Sequence, residues 1–173
     1  MVTQVEPFKL KTYTEFLKEL DKTLDTYFEK QSEFICCQKG CSSCCEKGDY
    51  PVSELELRYL MLGYSQLDNE TKIKIQNNIK NVQKGEACPF LLNKTCSIYS
   101  HRPIICRVHG LAYLCKDNTA KVPYCTKEGK NFAKVYQKGE LLIEPINENL
   151  DITYLATEYN LGEVRNLYDW IKS

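Results

Sequence analysis

The residues with the clearest chemical potential are ten cysteines, all of which lie between Cys36 and Cys125. The densest run is Cys37-Gln38-Lys39-Gly40-Cys41-Ser42-Ser43-Cys44-Cys45, which places four thiols within nine residues. Four thiolates this close would repel one another strongly, whereas a bound metal lowers the thiol pKa and removes that conflict. Gly40 allows a tight turn that aims several sulfur atoms at one ion. The pattern therefore predicts a metal site.

A second set of cysteines is spread more widely along the chain. It comprises Cys88-Pro89-Phe90-Leu91, then Cys96-Ser97-Ile98-Tyr99, then Arg102-Pro103-Ile104-Ile105-Cys106-Arg107. These cysteines are eight and ten residues apart, which is too far for one turn of chain. The fold must therefore bring them together, and we expect Pro89 and Pro103 to fix the approach of the chain.

The order of these motifs resembles that of the YkgJ-type cysteine-cluster proteins, which are described as zinc- or iron-chelating domains. Their signature is C-x2-3-C-x2-C-C, then C-P-F-L, C-x-I-Y and R-P-x-x-C-R, and each part is present from Cys37 to Arg107. Many members carry a further cysteine about twenty residues on, and Cys125 lies nineteen residues after Cys106. One departure is Val108-His109-Gly110, where many members have an aromatic residue followed by proline.

The resemblance implies a set of metal ligands, which we carry over position by position. The set is Cys37, Cys41, Cys44, Cys45, Cys88, Cys96, Cys106 and Cys125. Eight thiolates would suit two tetrahedral zinc sites or two four-cysteine iron–sulfur clusters. Cys36 and Cys115 fall outside the pattern, and we expect them to be small buried residues or to lie just outside the ligand sphere.

Five polar residues lie near the second set, and four of them have two interpretations. Arg102 and Arg107 would either neutralise an anionic thiolate cluster or form salt bridges with Glu54 or Glu56. Tyr99 would either donate a hydrogen bond near the metal or pack in the core. His109 is a candidate extra ligand, since imidazole suits zinc and iron, although a lone histidine is more often structural. We expect His101 to lie in a surface loop.

Composition excludes several classes of protein. The 23 basic and 23 acidic residues are dispersed, so no nucleic-acid footprint is indicated, and the apolar runs are too short for a membrane span. The start, Met1 to Glu6, lacks the features of an export signal, so we expect a cytoplasmic protein with reduced thiols rather than disulfides. The spacing from Cys37 to Cys44 also matches the radical-SAM motif, but the chain lacks the β/α units that such enzymes need.

The intervening segments predict a mainly α single domain over residues 1–173, with irregular cysteine-rich loops and at most a few short strands. We expect an amphipathic helix over about 13–32 with Thr12 and Glu15 as its capping box, a metal-binding region over 36–125, and a helical region over about 150–172 that breaks near Asn160 to Gly162. Further helices are expected from Ser53 to Gly63 and from Asp68 to Lys84. Short strands are expected at Gly110–Leu114, Lys134–Tyr136 and Glu140–Ile143.

Three classes of function fit this pattern. The favoured one is a protein that chelates zinc or iron through clustered thiolates, with the metal either structural or carried to a protein partner. The second is an iron–sulfur protein that transfers electrons or senses redox state. The third is a metal-dependent enzyme, or an accessory subunit of one, although no acid–base pair accompanies the cysteines.

Overall fold

The computed structural model describes residues 7–38 and 40–173 and shows a mainly helical protein. Its α-helices are α1 (Pro7–Lys30), α2 (Ser43–Glu46), α3 (Glu54–Ser65), α4 (Asn69–Asn81), α5 (Ile104–Val108), α6 (Ile152–Glu158) and α7 (Leu167–Lys172). Its strands are β1 (Pro51–Ser53), β2 (Leu91–Leu92), β3 (Thr95–Cys96), β4 (Tyr113–Leu114), β5 (Ala120–Lys121), β6 (Tyr136–Gln137), β7 (Glu140–Leu141) and β8 (Val164–Asn166). Short 3₁₀ helices cover Ser32–Phe34, Tyr99–His101 and Tyr124–Glu128.

The first helix is amphipathic, as its apolar periodicity predicts. Tyr13, Leu17, Leu24 and Tyr27 are buried in a core that also receives side chains from α3, α5 and α6. The helix already includes Pro7 and ends at Lys30, so Thr12 lies inside it and the predicted cap at Thr12 is wrong. The buried stripe continues N-terminal to the predicted boundary because Leu10 also packs against this core.

The end of α1 is fixed to a distant part of the chain by one side chain. Gln31 is buried, and its Nε2 donates to the Ala112 carbonyl at 2.9 Å. The Ala112 N–H donates to Gln31 Oε1 at 3.0 Å, which completes a two-bond pairing. Arg107 adds a second tie, since its Nη1 lies 2.5 Å from Asp21 Oδ2 on α1. These contacts hold α1 against the segment that carries Cys106.

The helix α3 begins as its sequence predicts. Ser53 Oγ accepts from the Glu56 N–H at 3.3 Å, and Glu56 Oε2 accepts from the Ser53 N–H at 2.8 Å, which forms a capping box. The predicted end at Gly63 is wrong, because the helix continues to Ser65. Gly63 instead gives room to His101, whose Cγ would lie 2.5 Å from a Cβ at this position. The helix α4 begins beside the predicted start, where Asp68 caps it, and ends at Asn81 rather than at Lys84.

The C-terminal region differs from the predicted pair of helices. The break after α6 includes the strand β8, which pairs antiparallel with β1 in the register Val52 opposite Arg165. This pairing and α7 cover a second core around Val52, Leu60 and Phe90, against which Cys88 and Cys96 pack. The remaining strands form three two-stranded hairpins, β2–β3, β4–β5 and β6–β7. Across residues 7–38 and 40–173, no helix combines the length and apolar character needed to cross a membrane.

Candidate metal centre

All ten cysteines are free thiols, and the eight predicted ligands fall into two groups that meet at Cys44. The charges of Cys88, Cys96 and Cys106 interact with one another and with that of Cys44. Those of Cys37, Cys41 and Cys125 form a second interacting set, and Cys37 also interacts with Cys44. We call Cys44, Cys45, Cys88, Cys96 and Cys106 the Arg102 group, and Cys37, Cys41 and Cys125 the Asn131 group. Each group is named after the polar residue that faces its sulfur atoms.

The Arg102 group is assembled from four separate parts of the chain. Cys44 and Cys45 lie on α2, which the sequence predicts as loop. Cys88 follows α4, and its N–H donates to the Cys45 carbonyl at 2.7 Å, which ties the two cysteine-rich stretches together. Cys96 lies on β3 and Cys106 on α5. All five residues are half-buried.

The two neighbouring cysteines of α2 point their sulfur atoms toward each other. The distance from Cys44 Sγ to Cys45 Sγ is 3.8 Å. Two thiolates bound to one tetrahedral zinc ion at about 2.3 Å would have sulfur atoms about 3.8 Å apart. The pair therefore already has the separation that one ion requires, although adjacent ligands are expected to strain the chain.

Burial makes these thiols reluctant to ionise without a cation. It raises the pKa of Cys88 to about 12, and it raises the pKa of Cys106 well above its ordinary value. The contact with Cys45, followed by burial, raises the pKa of Cys44 as well. A metal ion would compensate the thiolate charges in this environment.

Arg102 is the cation that faces this group. Its charge lowers the pKa of Cys44, Cys96 and Cys106, in opposition to the larger effect of burial, which raises all three. The guanidinium stacks on the ring of Tyr99 at 4.0 Å, and its buried Nε has no hydrogen-bond partner among the described residues. Of its two predicted roles, the geometry therefore fits neutralisation of the thiolates. Tyr99 is 65% exposed, so it belongs to neither predicted environment and instead supports Arg102.

The Asn131 group is organised by an asparagine that the sequence analysis did not identify. Asn131 is 1% exposed, and its Oδ1 accepts from the Cys36 N–H at 2.8 Å. Its Nδ2 donates to Cys37 Sγ at 3.2 Å and to the Gly110 carbonyl at 3.1 Å. The residue stands in a polar loop without a motif, so no sequence signal marks it. It fixes the Cys37 sulfur relative to the segment just after Cys106.

The other two members of the Asn131 group differ in exposure. Cys41 is exposed, whereas Cys125 is buried in the 3₁₀ helix Tyr124–Glu128. This helix is held against α2 because Tyr124 Oη donates to the Ser43 carbonyl at 2.6 Å. The thiol of Cys37 faces Gly110, which adopts a φ of +109° that favours glycine.

The remaining residues singled out from the sequence lie as follows. Cys36 is exposed and contributes its backbone N–H to Asn131, while Cys115 is half-buried against the first core. Arg107 binds Asp21, so neither of its predicted roles holds. His101 is half-buried and stacks on Tyr59 with ring centroids 4.7 Å apart, so the predicted surface loop is wrong.

His109 lies beside the Arg102 group, on one side of a cleft that Cys44, Cys45 and Cys106 also line. Its Nε2 is buried and has no hydrogen-bond partner among the described residues. Burial lowers its pKa, so the imidazole is held neutral.

The donor chemistry of the two groups fits zinc or iron, since thiolates are soft ligands that both metals accept. Within residues 7–38 and 40–173, no three cysteine, histidine or acidic side chains converge closely enough to hold an ion as they stand. Among the described residues, binding of one ion by three or more of these thiols therefore requires them to move closer together.

A family model matches the chain over residues 36–135, and its description is "CxxCxxCC: Putative zinc- or iron-chelating domain". The matched residues contain all ten cysteines, Arg102 and Asn131. No curated protein and no solved structure matches the chain at a significant level.

Proposed function

The chain belongs to the CxxCxxCC family, and we propose that it chelates zinc or iron through the thiolates of the Arg102 and Asn131 groups. The observation that carries the proposal is the distance of 3.8 Å between Cys44 Sγ and Cys45 Sγ. It equals the separation of about 3.8 Å expected for two thiolates on one tetrahedral ion. The cytoplasm, where thiols stay reduced, is the compartment that this proposal requires.

The Arg102 group is proposed to hold a structural metal. Its cysteines come from α2, the segment after α4, β3 and α5, so one ion would cross-link elements that are far apart in sequence. Bound metal supplies positive charge at the buried sulfur atoms, and Arg102 supplies part of the same compensation. The protein's own contribution is to bring the thiols together and limit the access of water to them.

The Asn131 group is proposed to hold metal that exchanges with a partner. Cys37 and Cys41 are exposed, so a thiol of another protein can approach an ion bound there. The hydrogen bond from Asn131 fixes Cys37 while Cys41 remains accessible. A metal ion bound by the fixed Cys37 and the exposed Cys41 can be transferred to another protein. The half-buried Arg102 group is suited to retaining its metal ion.

A second candidate function is electron transfer or redox sensing by an iron–sulfur cluster. It is favoured by the number of thiols around Cys44, whose sulfur contacts that of Cys45 and whose charge interacts with those of Cys37, Cys88, Cys96 and Cys106. Iron–sulfur clusters are held by cysteine thiolates in such sets.

The deciding experiment is the metal content of protein purified without air, measured by mass spectrometry together with its absorption spectrum. A colourless protein with one or two zinc ions, made where iron was also available, supports chelation of zinc. A brown protein with iron and labile sulfide supports the second candidate.

The ligand assignment is tested in the same preparation with Cys106→Ser and with Cys36→Ser as its matched control. We expect Cys106→Ser to lose metal from the Arg102 group and Cys36→Ser to retain the full content. Full metal content in Cys106→Ser, or equal losses in both variants, would show that the assignment is wrong.

A further inference from the structure

A cleft of about 540 Å³ lies beside the Arg102 group, and its volume is typical of small-molecule sites. Cys44, Cys45 and Cys106 form part of its lining. The rest comes from the segment before β1, from the segment after α5, and from the β4–β5 hairpin with the 3₁₀ helix that follows. The cleft is therefore built from several elements of the fold.

The walls of the cleft are rich in rings. Tyr50, Tyr113, Tyr124 and Tyr136 line it together with Pro51 and Pro123. Tyr50 and Tyr113 are buried, so their rings belong to the rigid interior rather than to mobile surface side chains. Flat aromatic surfaces of this kind bind a ring by offset stacking or edge contact.

The charges in the lining favour an anion. Lys47, Lys121 and Lys127 line the cleft with one carboxylate, that of Asp49, which gives a net charge of +2 from three positive groups and one negative group. Asp49 Oδ1 accepts a hydrogen bond from Asn166 Nδ2 at 3.1 Å, so one oxygen of this carboxylate already has a partner. Lys121 is paired with Asp151 at 2.6 Å, whereas the carboxylate of Glu128 lies 4.0 Å from Lys47 Nζ. Lys47 and Lys127 are exposed, and the long 4.0 Å pair with Glu128 leaves the Lys47 ammonium group room for a second anionic partner.

Two buried polar atoms of lining residues have no hydrogen-bond partner among the described residues. They are the hydroxyl of Tyr50 and Nε2 of His109. Buried polar groups in native proteins are paired as a rule, and an unpaired one calls for a water, ion or ligand. Both residues line the same cleft, so one occupant that reaches these two atoms can satisfy both.

We propose that this cleft binds a small organic anion that carries an aromatic ring. The ring packs among the tyrosines, the anionic group is bound by Lys47 and Lys127, and the Tyr50 hydroxyl and His109 Nε2 orient the molecule. This function goes beyond metal chelation and does not depend on it, because none of these four groups is among the thiolates proposed to bind the metal. The bound molecule would lie against Cys44 and Cys106, so it would cover their thiols.

Three probes separate the contributions of the ring and the charge. The full chain, as purified with its metal, is titrated with phenyl phosphate, with inorganic phosphate and with benzyl alcohol, and binding is followed by ¹H–¹⁵N NMR. We expect saturable binding of phenyl phosphate, with shifts confined to cleft residues. Each of the other two probes should bind at least about tenfold more weakly, because inorganic phosphate lacks the ring and benzyl alcohol lacks the negative charge.

Two variants test the residues. The double variant Lys47→Gln/Lys127→Gln should weaken phenyl phosphate about tenfold and leave benzyl alcohol unchanged, because charged hydrogen bonds are lost. Tyr50→Phe should weaken phenyl phosphate about fivefold without lowering the thermal stability of the free protein, since the hydroxyl is unpaired there. Tyr13→Phe is the control, because the Tyr13 hydroxyl is also buried but lies in the first core, where it interacts with Glu56.

The outcomes decide between the site and its alternatives. Inorganic phosphate that binds as tightly as phenyl phosphate would mean that the ring is not recognised, and the proposal would be wrong. Equal effects of Tyr50→Phe and Tyr13→Phe, or no effect of the lysine pair, would place the binding outside the cleft. Metal content is measured in every variant, and an unchanged content with weakened phenyl phosphate binding separates the cleft from the metal centre.

Discussion

The Arg102 group and the Asn131 group share Cys44 but differ in what surrounds their sulfur atoms. The Arg102 group is half-buried and faces a cation, and its thiols have raised pKa values because of burial. The Asn131 group has two exposed cysteines and faces a neutral amide that donates a hydrogen bond to Cys37 Sγ. A full charge suits a site that keeps its metal, and a neutral donor suits a site from which metal can leave. Under the proposed function, the same residue type would serve two purposes according to its neighbours.

The largest expected effect comes from substituting Cys44, the residue at which the two groups meet. Cys44→Ser should lose metal from both groups, because the charge of Cys44 interacts with members of each. Structural zinc contributes on the order of 10 kcal/mol of apparent binding free energy, so the melting temperature of the metal-loaded protein should also fall. Metal content and thermal unfolding measure both effects.

Cys115→Ser is the control for this prediction, since Cys115 is a half-buried cysteine outside the family signature. It should retain its metal. If Cys44→Ser instead lost metal from one group and kept the other intact, the two groups would be independent sites.

A smaller effect should separate the groups. Arg102→Gln removes the cation from the Arg102 group, and Asn131→Asp places a carboxylate against Cys37 Sγ and the Gly110 carbonyl. Each should weaken metal binding about tenfold in its own group and leave the other group unchanged, because hydrogen bonds and ion contacts to charged groups contribute about 1.5–3 kcal/mol. Competition with a chromophoric chelator measures the two affinities.

Arg165→Gln serves as the matched control for charge, because Arg165 is an exposed residue paired with Glu163. It should leave both affinities unchanged. Losses in the same group from both Arg102→Gln and Asn131→Asp would contradict the division into two groups.

The smallest expected effect is a pH dependence of the stability of the fold, which comes from Glu56. Glu56 Oε1 accepts from the Ile104 N–H at 2.7 Å at the start of α5, which carries Cys106. Burial raises the pKa of Glu56 above its ordinary value of 4.5, so the folded protein binds this proton more tightly than the unfolded chain. The stability due to this group is therefore full below pH 4.5 and is lost as the pH rises toward the raised pKa.

The test compares the wild type with Glu56→Gln, which cannot titrate at this position. The difference in free energy of unfolding, wild type minus variant, should decrease as the pH rises from 4.5, when measured by urea denaturation. A difference that grows with pH would mean that the two backbone hydrogen bonds outweigh burial and hold the Glu56 pKa down.

The parts of the fold that the sequence predicts are those with local signals. The capping box of Ser53 and Glu56 involves residues three apart, and the stripe from Tyr13 to Tyr27 repeats at helical intervals. The β1–β8 pairing has no such signal, because it joins two three-residue strands more than a hundred residues apart.

The candidate site divides in the same way. The cysteines are evident from their spacing, yet their division into two groups depends on Arg102 and Asn131, which reach them through the tertiary fold. Asn131 lies 94 residues from Cys37. A single buried amide in a polar loop resembles any other asparagine until its three hydrogen-bond partners are known.

The pairing of Gln31 with Ala112 has a consequence for the order in which a nascent chain becomes complete. The two residues are 81 positions apart, so the first helix leaves the ribosome well before the peptide group that fixes its end. At about 5–20 residues per second, this interval lasts roughly 4–16 seconds. The thiols from Cys36 to Cys45 emerge early in that interval, whereas Cys88, Cys96 and Cys106 emerge only in its later part. During synthesis, these early thiols depend on a reducing environment to remain available until their partners arrive.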